Sequence, residues 1–242
     1  MVLSQRCRSA PGVRVCRGFS LVELMVVIAV MAVLISLLLP VLAQSRLAAK
    51  GAVCLSGLRS MGQAVVMYCD DNHEHFPLSS HTAGSLVASD AWLTTLQDYG
   101  VSPNFRQCPL DPNYQAVSLT EWATSYATNE HFEPLAPGVD YDPITHAPIP
   151  GGRTFAYDRV GLLPLPCATI YIYEPEQSST SDHLHTQDFT DAAVLRASVA
   201  VTRHLGAGQY LFADGHAKAW SWTDFGPRFS PATSPFDPAT AR

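Results

Sequence analysis

Histidines and carboxylates are the residues best able to do chemistry in this chain, nine and 21 of them, and two runs set them close together. His73 and His75 stand beside Asp70 and Asp71, and His183 and His185 beside Asp182 and Asp188. An H-x-H pair grips a metal most readily on a strand, where residues two apart share a face. Both runs read as loops, and solvated polar loops are the better account of them. His204 and Asp214 are a further acid–base candidate. If residues 199–204 and 209–214 form a hairpin around residues 205–208, their side chains lie at opposite ends, roughly 15 Å apart at ~3.3 Å per residue, and make no dyad. Asp214-Gly215 is then turn chemistry. No nucleophile elbow, phosphate loop or paired-base constellation is present. The expectation is a protein that is not an enzyme, with a membrane-tethered metal-dependent hydrolase as the outlying alternative.

Of six cysteines, Cys7 and Cys16 fall in the first 18 residues, leaving Cys54, Cys69, Cys108 and Cys167. Their spacings match no zinc pattern. In an oxidising compartment such thiols can pair. Buried, unpaired thiols are the plain alternative.

The elements that must position these residues begin with one apolar run. Residues 24–45 carry no charge, a stretch of 22 residues. About 20 apolar residues in a helix span a bilayer core, and no later stretch comes close. The chain is therefore single-pass or secreted. Residues 1–18 hold Arg6, Arg8, Arg14 and Arg17 and no acid, a flank expected to stay cytoplasmic. Taking those four from fifteen leaves 11 basic against 21 acidic residues, a net charge of −10. So acidic a head is a poor nucleic-acid binder, because that binding rests on Lys and Arg contacts with phosphate.

The junction between flank and run reads Gly18-Phe19-Ser20-Leu21-Val22-Glu23. An ordinary signal peptide is cut after its apolar region, whereas here the polar-to-apolar border falls at Gly18. A carboxylate in the apolar segment costs roughly 2.5–3.5 kcal/mol at mid-bilayer, so Glu23 needs a partner. Two other readings exist: cleavage at Val41-Leu42-Ala43 would release a secreted protein, and an uncleaved anchor would leave Glu23 without a role.

The junction resembles the type IV prepilin signature. The resemblance implies cleavage between Gly18 and Phe19 by a prepilin peptidase, and N-methylation of Phe19. Glu23 then becomes the fifth mature residue and pairs with the N-terminal ammonium of a neighbouring subunit during assembly; two charges that are each costly in lipid are tolerated together. Pro40 falls where such helices carry a proline and is expected to kink or loosen the helix.

Beyond the run, Leu47, Gly51, Cys54, Leu58, Met61, Val65 and Tyr68 recur at alternating four- and three-residue steps, one apolar stripe on a continuing helix. That helix should stop near Asp70-Asp71-Asn72. Cys54 lies on the stripe expected to face the head, and Cys108 lies in a loop before Pro109. Their proximity in this packing, and an oxidising compartment, make Cys54–Cys108 the candidate disulfide. Residues 91–99 read as a short amphipathic helix stopped by Gly100. Residues 131–166 hold seven of 18 prolines and read as an irregular excursion. Residues 169–173 and 198–203 look like strands. The clearest hairpin joins residues 209–213 to 216–222 through a two-residue Asp214-Gly215 turn, setting Phe212 opposite Ala217 and Tyr210 opposite Ala219. From Thr223 onward the proline-rich tail is expected to be mobile.

The segments CLSGLRSMGQAVVMYCDDNHEHFP (54–77), CPLD (108–111), SYATNEH (125–131) and RHLGAGQYLFADGHAKAW (203–220) are similar to a bacterial family that joins a prepilin N-terminus to an H-x9-DG domain. Its members are described as type II secretion pseudopilin-like proteins. The motif falls on His204, Asp214 and Gly215, read here as a structural turn. Major pseudopilins of this kind carry calcium in the C-terminal part of the head, and Asp182, Asp188 and Asp191 offer oxygen ligands for it as weak candidates. No calcium-loop motif is present, and no other cofactor is expected.

The fold expected is α+β and pilin-like, a long N-terminal helix packed on a small antiparallel β-sheet. It divides into a leader (1–18), a transmembrane half-helix (19–43), an outer half-helix (44–71), an extracytoplasmic head (72–222) and a mobile tail (223–242). The function expected is that of a structural subunit of a type II secretion pseudopilus or type IV pilus-like fibre. A minor pilin acting as an adhesive or ligand-binding module is the alternative. The implied partners are the prepilin peptidase, other pilin or pseudopilin subunits and an inner-membrane assembly platform. The expected location is the inner membrane, single-pass, with the head in the periplasm.

Overall fold

Residues 20–79, 92–112, 124–134, 139–141, 148–150, 156–176, 183–184 and 189–242 are described by a computed structural model. The apolar run and the stripe after it form one helix, α1 (Leu21–Asp71), with Pro40 inside it. Contacts divide the chain into two units, Met1–Gln44 and Ser45–Arg242. In the first unit α1 is long and apolar enough to cross a membrane, and none of its most apolar window is buried.

In the second unit most of the stripe is buried: Gly51, Cys54, Leu58, Met61 and Val65 face the head, joined by Gly57, Gly62, Ala64 and Cys69, whereas Leu47 is exposed and Tyr68 half-buried. The helix ends at Asp71, where the Asn72 side chain donates to the Tyr68 carbonyl and His73 and Glu74 take positive φ. The short helix α2 covers only Trp92–Thr95, and turns carry the chain on to Gly100, whose φ of 87° marks the stop.

Seven strands are described: β1 (Ala127–Asn129), β2 (Val139–Tyr141), β3 (Pro148–Pro150), β4 (Ile170–Tyr173), β5 (His183–Leu184), β6 (Ala207–Phe212) and β7 (Ala217–Ser221). Five form one sheet in the order β5-β1-β4-β6-β7, antiparallel except where β5 joins β1 in parallel. Strands β2 and β3 pair antiparallel inside the proline-rich excursion. The alternation of β-branched and aromatic residues in β4 suits a strand buried on both faces. Tyr171 and Ile172 enter the core beneath α1, and Ile170 and Tyr173 enter a second core on the opposite face. A register shift between Ile170 and Ile172 keeps this from being a simple alternation.

Three expectations need correction. The β6–β7 register is displaced by one residue: Leu211 lies opposite Ala217 and Tyr210 opposite Lys218. A two-residue turn of the expected type needs positive φ at both central positions. Here Gly215 has it, at 87°, and Asp214 does not, so the loop takes a third residue. Gly215 N–H donates to the Phe212 carbonyl and Phe212 N–H to the His216 carbonyl, a turn closed by a glycine bulge. Residues 198–203 are not a ladder strand. Ala192–Ser198 is a helix, α3, started by the Asp191 side chain, and Val199 only bridges to Pro175. The tail is packed rather than mobile. After helix α4 (Trp222–Phe225), Phe229 and Phe236 fill the second core beside Tyr173, Tyr210 and Phe212. The backbone there is held too, since Ile170 N–H donates to the Pro235 carbonyl and the Asn129 side chain to that of Phe236. Aromatic residues spaced through the prolines outweigh the flexibility their composition suggested.

Candidate functional site

Two places gather the residues of interest, one in each unit. At the start of α1, Ser20 and Glu23 close on each other. Ser20 N–H donates to Glu23 Oε2 at 2.8 Å, and Glu23 N–H donates to Ser20 Oγ at 3.2 Å. This is a capping box, which satisfies two of the donors that a helix start leaves open. Glu23 therefore has a local task that the sequence reading passed over, although the S-x-x-E spacing signals it. Gly18 and Phe19 lie outside the described residues.

In the second unit a polar cluster is sealed inside the head. Cys54 comes from α1 and Cys108 from the loop before Pro109. Glu174 follows β4, and His204 precedes β6. Their exposures are 2, 0, 1 and 7%. The two sulfurs are 2.6 Å apart. His204 Nε2 lies 3.8 Å from Cys108 Sγ and 2.6 Å from Glu174 Oε2. The Arg203 guanidinium stands 3.7 Å from the same carboxylate oxygen and donates to the carbonyls of Pro175 and Glu176. Gln209 ties the cluster to the helix by donating to the Gly51 carbonyl at 2.9 Å. Burial pulls the His204 imidazole down, but its contacts with Cys108 and Glu174 outweigh that and hold it up to about 9. The contact with Cys54 and then burial push the Cys108 thiol far up.

The expected nearness of Cys54 and Cys108 is thus present. Cys69 is buried elsewhere on α1, its thiol pushed up to about 12 by burial and by Asp70 and Glu74, and Cys167 is exposed. His204 joins the cysteines, whereas Asp214 stays in the hairpin turn, where its Oδ1 meets His216 Nδ1 at 2.6 Å. Asp182, Asp188 and His185 lie outside the described residues. Asp191 Oδ1 accepts from the backbone of Ala193 and Val194 at the start of α3, and those bonds hold its carboxyl below the usual range. His75 pairs with Asp158 at 3.2 Å and not with His73. Sequence reasoning missed Glu174 altogether, since no spacing links residue 174 to residues 54, 108 and 204.

A helix that is uncharged from residue 24 to residue 45 just after a carboxylate, and that runs on into an α+β head, defines a prepilin-class protein. The model of the prokaryotic N-terminal methylation motif matches residues 13–39, which include Gly18, Phe19 and Glu23. Type II secretion system core protein G of Escherichia coli is 33% identical over 96 residues, 40% of this chain and 66% of that protein. The Dickeya chrysanthemi protein of the same name is 32% identical over 105 residues, 42% of this chain and 68% of its own length. That of Pectobacterium carotovorum is 31% identical over 110 residues, covering 46% of this chain and 64% of that one. The chain belongs to the family of type II secretion system core protein G, and spans about two thirds of the length of the relatives it matches. No solved structure gives a significant match.

Proposed function

We propose that this chain is a structural subunit of a type II secretion pseudopilus, held before assembly as a single-pass inner-membrane protein with its head in the periplasm. The observation that carries this reading is the methylation motif set on a helix whose apolar residues from Leu21 to Leu42 are exposed in the monomer. Such a surface is costly in water and is covered either by lipid or by the helices of neighbouring subunits. A prepilin peptidase would cut after Gly18 and methylate Phe19, and Glu23 would meet the new ammonium of the next subunit. The partners are then the peptidase, other pseudopilins and an inner-membrane platform. The role is assembly and not catalysis.

The test is to express the whole chain with a prepilin peptidase and measure the mass of the mature N-terminus. An N-methylated Phe19 is the expected result. A mature start at Gln44 would overturn the assignment, since it would remove the helix that polymerises.

A further inference from the structure

We propose that Cys54, Cys108, Glu174 and His204 form a binding site for one divalent zinc-like cation, which pins the outer part of α1 to the head. Four segments that are far apart in sequence each deliver one ligand-type atom, and these atoms all lie within 4.8 Å of one another. Two thiolates, an imidazole and a carboxylate are the donors that zinc takes in tetrahedral sites. All four residues are buried, which is where structural zinc sites are closed to water.

A second observation points the same way. Glu174 Oε1 and His204 Nδ1 are buried with no hydrogen-bond partner among the described residues. Glu174 Oε2 meets His204 Nε2 at 2.6 Å, but the closest guanidinium nitrogen, Arg203 Nη1, is 3.7 Å from that oxygen, beyond hydrogen-bond reach, and Oε1 has no partner among those residues. A dication changes that balance. Two thiolates, one carboxylate, the Arg203 guanidinium and a doubly charged ion sum to zero.

Two sulfurs in contact also suit a disulfide, the expectation drawn from the sequence. A disulfide is neutral, however, and leaves Glu174 Oε1 and His204 Nδ1 without a partner. Two thiolates on a tetrahedral zinc stand about 3.7 Å apart for Zn–S bonds of ~2.3 Å, so the ion would part these sulfurs by about 1 Å. Cys108 lies outside any regular element, so it can make that movement.

The experiment uses the full-length chain, extracted in detergent without chelators, with its zinc content and free thiols measured together. About one zinc per chain, with Cys54 and Cys108 unbonded in non-reducing peptide maps, is the expected result. Cobalt exchanged into the site should show thiolate-to-metal charge-transfer absorption. Removing zinc with a chelator should lower the melting temperature of the head. Glu174→Gln should weaken zinc binding about tenfold or more while near-UV circular dichroism stays native, which separates loss of a ligand from loss of the fold. Metal-free protein carrying a Cys54–Cys108 disulfide would overturn the site and leave the crosslink in its place. So would zinc that persists unchanged in Glu174→Gln and Cys108→Ser, because it would be bound elsewhere. Neither outcome touches the pseudopilus reading, which rests on the N-terminal helix.

Discussion

Glu23 caps its helix and, under the proposed function, would also carry the charge used in assembly, and single substitutions tell the two apart. Its carboxylate accepts from Ser20 N–H at the helix start, and in assembly the same charge would meet the Phe19 ammonium of the next subunit. Glutamine serves a capping box about as well as glutamate, yet carries no charge. Glu23→Gln should therefore keep the helix start intact while pseudopilus assembly fails. Ser20→Ala should do the reverse. It loses a cap worth ~0.5–2 kcal/mol but keeps the charge, so sheared fibres should still be recovered. Glu23→Ala loses both, and it should still insert and be cleaved, because removing an acid from lipid eases insertion. Fibres formed normally by Glu23→Gln would show that the carboxylate works only as a cap. The cap was legible in the spacing of Ser20 and Glu23, whereas the role of Glu174 was not, because its partners come from three distant segments.

At the scale of elements, α1 and the β6–β7 turn approach each other closely. A Cβ added at Gly62 would collide with the Gly215 carbonyl and lie 2.7 Å from Leu211 Cδ1. Gly215 in turn faces Gly62 and Val66, and its φ of 87° disfavours any side chain. Gly62→Ala should cost about 1–3 kcal/mol by overpacking, read as a lowered melting temperature of the head. An unchanged melting temperature would mean that the helix and turn part easily. The glycine and the turn were both readable in the sequence. Their contact was not, since it depends on the three-residue loop that displaces β7 by one position. A period-two pattern says which residues share a face, but a glycine bulge decides which partners they meet.

Across the head, the central strands β4 and β6 are buried on both faces, and the final residues complete the second core. Phe236 is fully buried among Tyr173, Phe189, Tyr210 and Phe225. Phe236→Ala should destabilise the head by about 3–5 kcal/mol, followed by chemical denaturation with tryptophan fluorescence. Limited proteolysis should spare residues 223–242 in the native protein and cut them first in the variant. Rapid cleavage of the native tail would contradict the packing described.

Much of what depends on neighbours along the chain was determined by the sequence alone, although the three-residue β6–β7 loop and helix α3 were not. An uncharged apolar run can only be a helix in lipid or a buried one, so α1, its acid at residue 23 and the family signature followed directly. The apolar stripe and the acid-rich stop set where the outer helix faces and ends. Only the tertiary structure decided what depends on segments far apart in the chain. Burial of the proline-rich tail needed a second sheet face for its phenylalanines to cover. The joining of Cys54, Cys108, Glu174 and His204 needed the helix, a loop and the ends of two central strands to meet. The physical reason is the same for both, because periodicity and turn chemistry act over a few residues, whereas burial is settled by whichever distant surfaces remove the most apolar area from water.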